Sequence, residues 1–481
     1  MPRLLKCAIR NVSFARTDLY AETFTTMTLS LDPALQHEIE SVIAALDAAR
    51  KSGQPAQTQA TMQECDRVIA ALGEPVPATA DGTVERALDP KAGARSTLWL
   101  KRGHLLEAIG TGEAAGQALE SYGRAIAALE GEPGTGPKMG RAIAWMNRGN
   151  VLQRFRDERA WSDAVRCYDQ AIGWLGSLSE KGQVNAELAS ALGAAWMNRG
   201  AALRQFGKPE RWTEALKSFE QALGLFQQLA TSSPSAMPNV ITAWEARGEA
   251  KLALGEPAEA VRSHKEALGN LRSWNERTGQ GLEPWDFGRI IFKLGQARAQ
   301  AGDADGALRE LREVLKLVAA DERDEVPAAV LGVQGRHAVC VILGARLAAD
   351  SAGAGAADLR AEAGDLAEDG LAIAAIWAGR GEEGLIGGPD MGLRLFEFGA
   401  WLYRTQQPQF LAEFLSEHAG DPQGPRAQLA LQVLAQTRQD ILKRPLPNLS
   451  AAEINRTQAM LEGLRAMETK LGQGTQARAA G

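Results

Sequence analysis

An all-α fold of stacked antiparallel helix pairs is predicted for this chain, on three observations. A short segment running from Trp to Gly recurs, as Trp99-Leu-Lys-Arg-Gly103, Trp145-Met-Asn-Arg-Gly149, Trp196-Met-Asn-Arg-Gly200 and Trp244-Glu-Ala-Arg-Gly248. Each is followed by a second pattern of small, aromatic or polar, and small residues: Ala118/Tyr122/Ala125, Ala164/Tyr168/Ala171, Ala215/Phe219/Ala222 and Ala260/His264/Ala267. The register then continues more weakly through Ile291, Gly295, Ala307, Leu311 and Val314, through Cys340 and Gly344, and through Leu395, Gly399, Leu411, Leu415 and His418. Glycines 103, 149, 200, 248, 295, 344 and 399 thus recur about every 46 to 55 positions, and a fixed long period is the mark of a solenoid.

The spacing has a helical cause. Trp, the residue three on, Gly, and the residue three beyond fall at i, i+3, i+4 and i+7, one face of an α-helix. Small residues such as Gly149 and Ala164 let two antiparallel helices approach, while Trp145 and Tyr168 fill the space beside them. One pair buries only one face, so the next pair stacks on it.

Taken in order, residues 1–30 read as an N-terminal arm. Arg3, Lys6, Arg10 and Arg16 precede the first acid, Asp18, so the readings are a targeting segment, a disordered arm, or a start assigned ahead of Met27. Residues 31–75 read as a helical pair, a degenerate repeat or N-terminal cap, because Glu64-Cys-Asp-Arg-Val-Ile resembles Cys167-Tyr-Asp-Gln-Ala-Ile. Residues 76–94 read as a Pro-, Gly- and Ala-rich linker, 95–420 as the solenoid, and 421–481 as capping helices and tail, split near Arg444-Pro-Leu-Pro447. About five repeats are clear and two or three are degenerate. Stretches 130–140 and 230–239, rich in Pro, Gly and Ser, are expected to be inter-repeat loops projecting from one edge of the array.

The pattern W-x-x-x-G-x-x-L followed by small, aromatic and Ala resembles the tetratricopeptide repeat, with Trp145, Gly149, Leu152, Ala164, Tyr168 and Ala171 on its signature positions and Trp161 and Trp212 on its intra-turn aromatic position. The resemblance covers residues 97–318 well and 327–420 weakly. It implies a right-handed superhelical solenoid whose first helices line a concave groove that binds a peptide or helix of a partner. The sequence departs from the family in carrying Arg102, Arg148, Arg199 and Arg247 before the glycine, and in repeats longer than the family's 34 residues.

By that resemblance the groove set is Lys101, His104, Glu107, Asn147, Asn150, Gln153, Asn198, Ala201, Arg204, Ala246, Glu249, Lys293 and Gln296, with Lys101, His104, Asn147, Asn150, Asn198, Arg204 and Lys293 as the binding candidates. Asn suits an extended backbone because its amide both donates and accepts. Lys101, Arg204 and Lys293 suit a carboxylate. Asn150 and Asn198 are similar to the asparagines of the carboxylate clamp in some relatives, but Met146, Thr242 and Ala246 replace its basic residues.

Composition narrows the function classes. A formal charge of -6 gives no chain-wide basic field, so nucleic acid is not expected as a partner. Cys7, Cys65, Cys167 and Cys340 are scattered, with no CxxC, which fits free thiols in a reducing, cytoplasmic setting. No uninterrupted run of 18 apolar residues suggests a membrane span. His37, His104, His264, His337 and His418 are never paired at helical spacing, and no HExxH, phosphate loop or GxSxG is present, so no metal, cofactor or catalytic centre is called for. His264 takes an aromatic position and is expected in the core. The leading expectation is a non-enzymatic scaffold for a protein or peptide partner. The alternative is a structural component that assembles, as a homo-oligomer or in a larger complex, through its convex face or basic C-terminal cap.

Overall fold

The computed structural model describes residues 31–73, 89–179, 185–279, 281–381, 388–419, 424–442, 458 and 461–469, and all regular structure among them is helical. The arm 1–30, residues 76–88 of the expected linker 76–94, and the expected split at residues 444–447 lie outside the described residues. Two units follow one another along the chain, up to Trp274 and from Asn275.

In unit 1, α1 (Pro33–Ser52) starts where the Asp32 carboxylate accepts from Ala34 N–H at 2.7 Å and Pro33 occupies the first turn, and it pairs with α2 (Pro55–Leu72). Four further pairs follow: α3 (Ala92–Ile109) with α4 (Gly112–Ala128), α5 (Thr135–Leu152) with α6 (Glu158–Ser179), α7 (Ala186–Arg204) with α8 (Pro209–Ser232), and α9 (Met237–Ala253) with α10 (Pro257–Thr278), in which the unit boundary falls. Gly110, at φ 76, supplies the left-handed turn that lets α3 reverse into α4 in two residues.

The repeat glycines do what their spacing implies. A Cβ on Gly103 would lie 2.6 Å from the Tyr122 ring, and one on Gly149 2.8 Å from the Tyr168 ring; Gly200 meets Phe219 and Gly248 meets His264 in the same way. Each ring is at most 1% exposed, His264 included. Burial of each such ring stabilises its pair by roughly 1.5–3 kcal/mol or more.

The expected inter-repeat loops are largely helix. Of 130–140, only the part before Thr135 is turn; Gly134, at φ 98, precedes α5, and Met139, Ala142 and Ile143 are buried. Of 230–239, Ala230 to Ser232 end α8, Pro234–Ala236 form one 3-10 turn, and α9 begins at Met237. The inserted residues lengthen first helices at their start and second helices at their end. This adds a further buried layer, in which Gly193 lies under the Phe226 ring and Leu175, Leu188 and Phe226 are nearly inaccessible. Apolar residues at helical spacing inside the insertions drive this, outweighing the local turn signals of Pro and Gly. The linker is shorter than expected for the same reason: α3 begins at Ala92, and Ala92, Ala94 and Arg95 are buried.

Unit 2 contains α11 (Pro284–Gln300), α12 (Ala304–Val318), α13 (Val326–Ala349), α14 (Ala356–Gly379), α15 (Gly388–Gln406), a 3-10 turn Pro408–Phe410, α16 (Leu411–His418), α17 (Pro425–Leu442) and a helical segment at 461–469. Gly295 meets Leu311, so α11 and α12 keep the repeat register. Gly399 meets Phe414 rather than the Leu415 that the spacing suggested. Between α12 and α13 the buried Glu322 takes Arg336 through two bonds of 2.7 and 2.9 Å, and its carbonyl accepts from Trp377 Nε1 at 3.0 Å. Helix α13 alone among the described residues is long and apolar enough to cross a membrane by length and composition, and Ala328, Ala329, Val333, Val339, Cys340 and Leu343 bury its apolar face within the unit. The expected C-terminal helices are present in part: α17 and 461–469 place Leu434, Ile441, Leu464 and Met467 in one core with α15 and α16.

Candidate functional site: two polar faces of unit 1

The residues singled out for the groove form a ladder across the first helices. Lys101 Nζ meets Asp47 of α1 at 2.8 Å. His104 Nε2 lies 2.9 Å from Asn147 Nδ2 in the next pair. Glu107 accepts from the Tyr122 hydroxyl and, at 2.8 Å, from Arg154. Asn150 Oδ1 accepts from the Tyr168 hydroxyl at 2.8 Å and from Asn198 Nδ2 at 3.2 Å, and Arg204 meets Glu249 at 2.7 Å. Burial drives the Tyr168 phenol well above its ordinary pKa, so it remains a donor.

Six of the seven candidates therefore lie on one face, bonded between consecutive pairs. Their accessibility differs. Asn147 and Asn198 are 4% and 3% exposed and act as struts between neighbouring first helices, whereas Arg204 is a third exposed along its side chain. Lys293 stands half-buried on α11 of unit 2. Beside the Glu107–Arg154 contact, where the α3–α4 turn meets the turn after α5, Leu106, Glu107, Gly110, Thr111, Gly112, Ala115, Arg154 and Phe155 line a shallow pocket of about 170 Å³.

A second ladder runs on the side of the second helices, made by the arginines that precede the repeat glycines. Arg102 stacks on Trp99, donates to Ser121 of α4 at 2.9 Å and meets Asp66 of α2 at 2.7 Å. Arg199 stacks on Trp196, donates to Ser218 at 2.9 Å and meets Asp169 of α6 at 2.6 Å. Arg247 stacks on Trp244, donates to Ser263 at 2.6 Å and meets Glu220 of α8 at 3.2 Å. Each guanidinium thus joins its own second helix to the preceding one. The signal was present in the sequence, as a Ser just before the aromatic position and an acid just after it in the preceding repeat.

Cys65, Cys167 and Cys340 are free and buried, with burial pushing their thiols up to about 12, 11 and 12. Cys7 lies outside the described residues. Among the described residues no three His, Cys, Asp or Glu side chains converge as a metal site.

First helices whose glycines receive the rings of second helices, pair after pair, make this a tetratricopeptide-like repeat protein with lengthened helices. No family model matches the chain, and no curated protein matches it. Solved structures with a similar course include the signal transduction ATPase with a tetratricopeptide repeat sensor from Pyrococcus horikoshii, 14% identical over 90% of this chain and 53% of that one, with a TM-score of 0.44. Aspartyl phosphate phosphatase F from Bacillus subtilis is 11% identical over 91% of this chain and 94% of its own, with a TM-score of 0.41. BtubC from P. vanneervenii is 16% identical over 60% and 92%, with a TM-score of 0.34.

Proposed function

We propose that the chain is a cytoplasmic protein-interaction scaffold, and that the first-helix face of unit 1 takes a peptide or helix of a partner protein. The observation that carries this reading is the pocket beside the polar ladder. At about 170 Å³ it is below the usual range of small-molecule sites, roughly 300–1,000 Å³, and suits one apolar side chain. Leu106, Ala115 and Phe155 supply its apolar wall, and Glu107 and Arg154 supply polar groups for the adjoining backbone or a charged neighbour. Farther along, Asn150 and Arg204 have accessible surface, while Asn147 and Asn198 hold the helices that present them. Free buried thiols support a reducing compartment.

The test uses Ala115→Trp, which fills the pocket from a half-buried position, together with Arg204→Glu. Proteins captured by cross-linking to the wild-type chain are expected to be lost from both variants, with helicity unchanged by circular dichroism. Retention of the same captured proteins by both folded variants would remove this face from consideration.

A further inference from the structure

One arginine of the second ladder stands apart. Arg148 keeps the stacking of its sisters, 5.5 Å over Trp145, yet makes no hydrogen bond or ion pair with any described residue, and its Nε is buried without a partner. Every partner its sisters use is replaced. Cys167 stands where Ser121, Ser218 and Ser263 stand, and a thiol is a poor acceptor. Gly123 of α4 stands where Asp66, Asp169 and Glu220 stand. Asp163, at the place of Glu214 and Glu259, which lie 3.9 and 3.7 Å from Arg199 and Arg247, pairs with Arg166 instead. A Cβ built on Gly123 would meet nothing within 4 Å, so the missing carboxylate leaves open space.

We propose that Arg148 is the docking point for an acidic side chain of a partner protein, which completes the ladder between α4 and α6. The guanidinium is fixed by its aromatic stack and can take a carboxylate through two parallel bonds. Its three sisters, in the same setting, each hold a carboxylate contributed by a neighbouring helix. The acid that fits is a side chain on a protein surface, since that is the group whose reach and geometry the sister positions display. This site is independent of the pocket beside Glu107 and Arg154, so its failure would leave that reading untouched.

The experiment is calorimetric titration of the full chain with octaglutamate peptide at low ionic strength, comparing wild type, Arg148→Ala and Gly123→Asp. The Gly123→Asp variant supplies the internal acid. It enters open space in a helix, so its melting temperature should not fall. Wild type is expected to bind with an affinity that drops as salt rises, and both variants to bind at least ten-fold more weakly. Binding by Gly123→Asp equal to wild type, or no saturable binding by wild type, would overturn the proposal. Equal displacement by inorganic phosphate would overturn it in favour of a free-anion site. A wild-type dimer in sedimentation that Gly123→Asp dissolves would overturn it in favour of a second copy of this chain.

Discussion

Gly344 of unit 2 stands at the same place in its helix as the repeat glycines of unit 1 and receives a different partner, although Gly295 and Gly399 of unit 2 still meet a side chain of their own second helix. In unit 1 each of Gly103, Gly149, Gly200 and Gly248 lies under the ring of its own second helix. In unit 2 Gly344 of α13 meets instead Phe398 and Trp401 of α15, the first helix of the following pair, while Gly370 of α14 receives Leu395 from that same helix. Helix α14 offers Ala363, Gly364 and Ala367 toward its neighbours, with no ring to set over Gly344. A small residue therefore marks where helices approach, and the large residues nearby decide which helix does so. Unit 1 buries an ion pair between Arg95 and Asp89 beside its rings, and unit 2 buries one between Glu322 and Arg336 that is closed by two guanidinium–carboxylate bonds.

That interior pair gives the largest expected effect. Glu322 and Arg336 are 6% and 8% exposed, and Arg336→Ala leaves a buried carboxylate without its partner. The loss should be about 3–5 kcal/mol. It is read as early loss of hydrogen-exchange protection in α12 to α14, with α5 to α8 unaffected. If protection in α13 were unchanged, the pair would be a bystander in the packing of unit 2.

In unit 1 the corresponding test is Gly200→Ala. A methyl there runs into the Phe219 ring, and overpacking of this kind amounts to about 1–3 kcal/mol. Phe219→Leu should recover part of the loss in the double variant, because the flexible side chain can give way, and a double-mutant cycle in urea measures the coupling. Additive losses would mean that the two residues do not hold each other apart.

This pairing was legible in the sequence because both members stand at fixed positions in each of four repeats. The buried Glu322–Arg336 pair was not: it occurs once, joins a turn to a helix, and has no period to betray it. The lengthened helices are hidden because Pro and Gly at 133–137 and 234–238 resemble loop signals, while the apolar residues around them, Met139, Ile143 and Phe226, carry a helical pattern that only a packed neighbour reveals. Of the candidate site, the face was legible and the accessibility was not. Asn147 and Asn198 are polar residues at face positions, but pairs that stack this closely bury them.

The units should differ next in their response to acid. Burial holds His337 of α13 below the ordinary histidine pKa, with Arg394 adding to it, and burial does the same to His418 of α16. These rings stay neutral in the folded unit where an unfolded chain would be protonated. The unfolded state thus binds more protons below about pH 6.5, and unit 2 loses stability as pH falls through and below that value. Hydrogen exchange compared at pH 7 and pH 5.5 should show α13 and α16 weakening, and His337→Gln should flatten the response. A pH response of α13 unchanged by His337→Gln would assign the effect to other groups.

The smallest effect separates the two uses of glycine most cleanly. Gly224 lies exposed in α8, a short way along the same helix from the ring that Gly200 meets, and a methyl added to it would have nothing within 4 Å. Alanine there restricts the unfolded chain and keeps the helical backbone, so Gly224→Ala should stabilise by about 0.5–1 kcal/mol. The same one-methyl change then has opposite signs at Gly200 and Gly224, and helix propensity, being equal at the two sites, cannot account for the difference. What remains is the ring. If both substitutions shifted the urea midpoint in the same direction, the close approach at Gly200 would not govern the packing of α7 on α8, and the role given to the repeat glycines throughout unit 1 would fall with it.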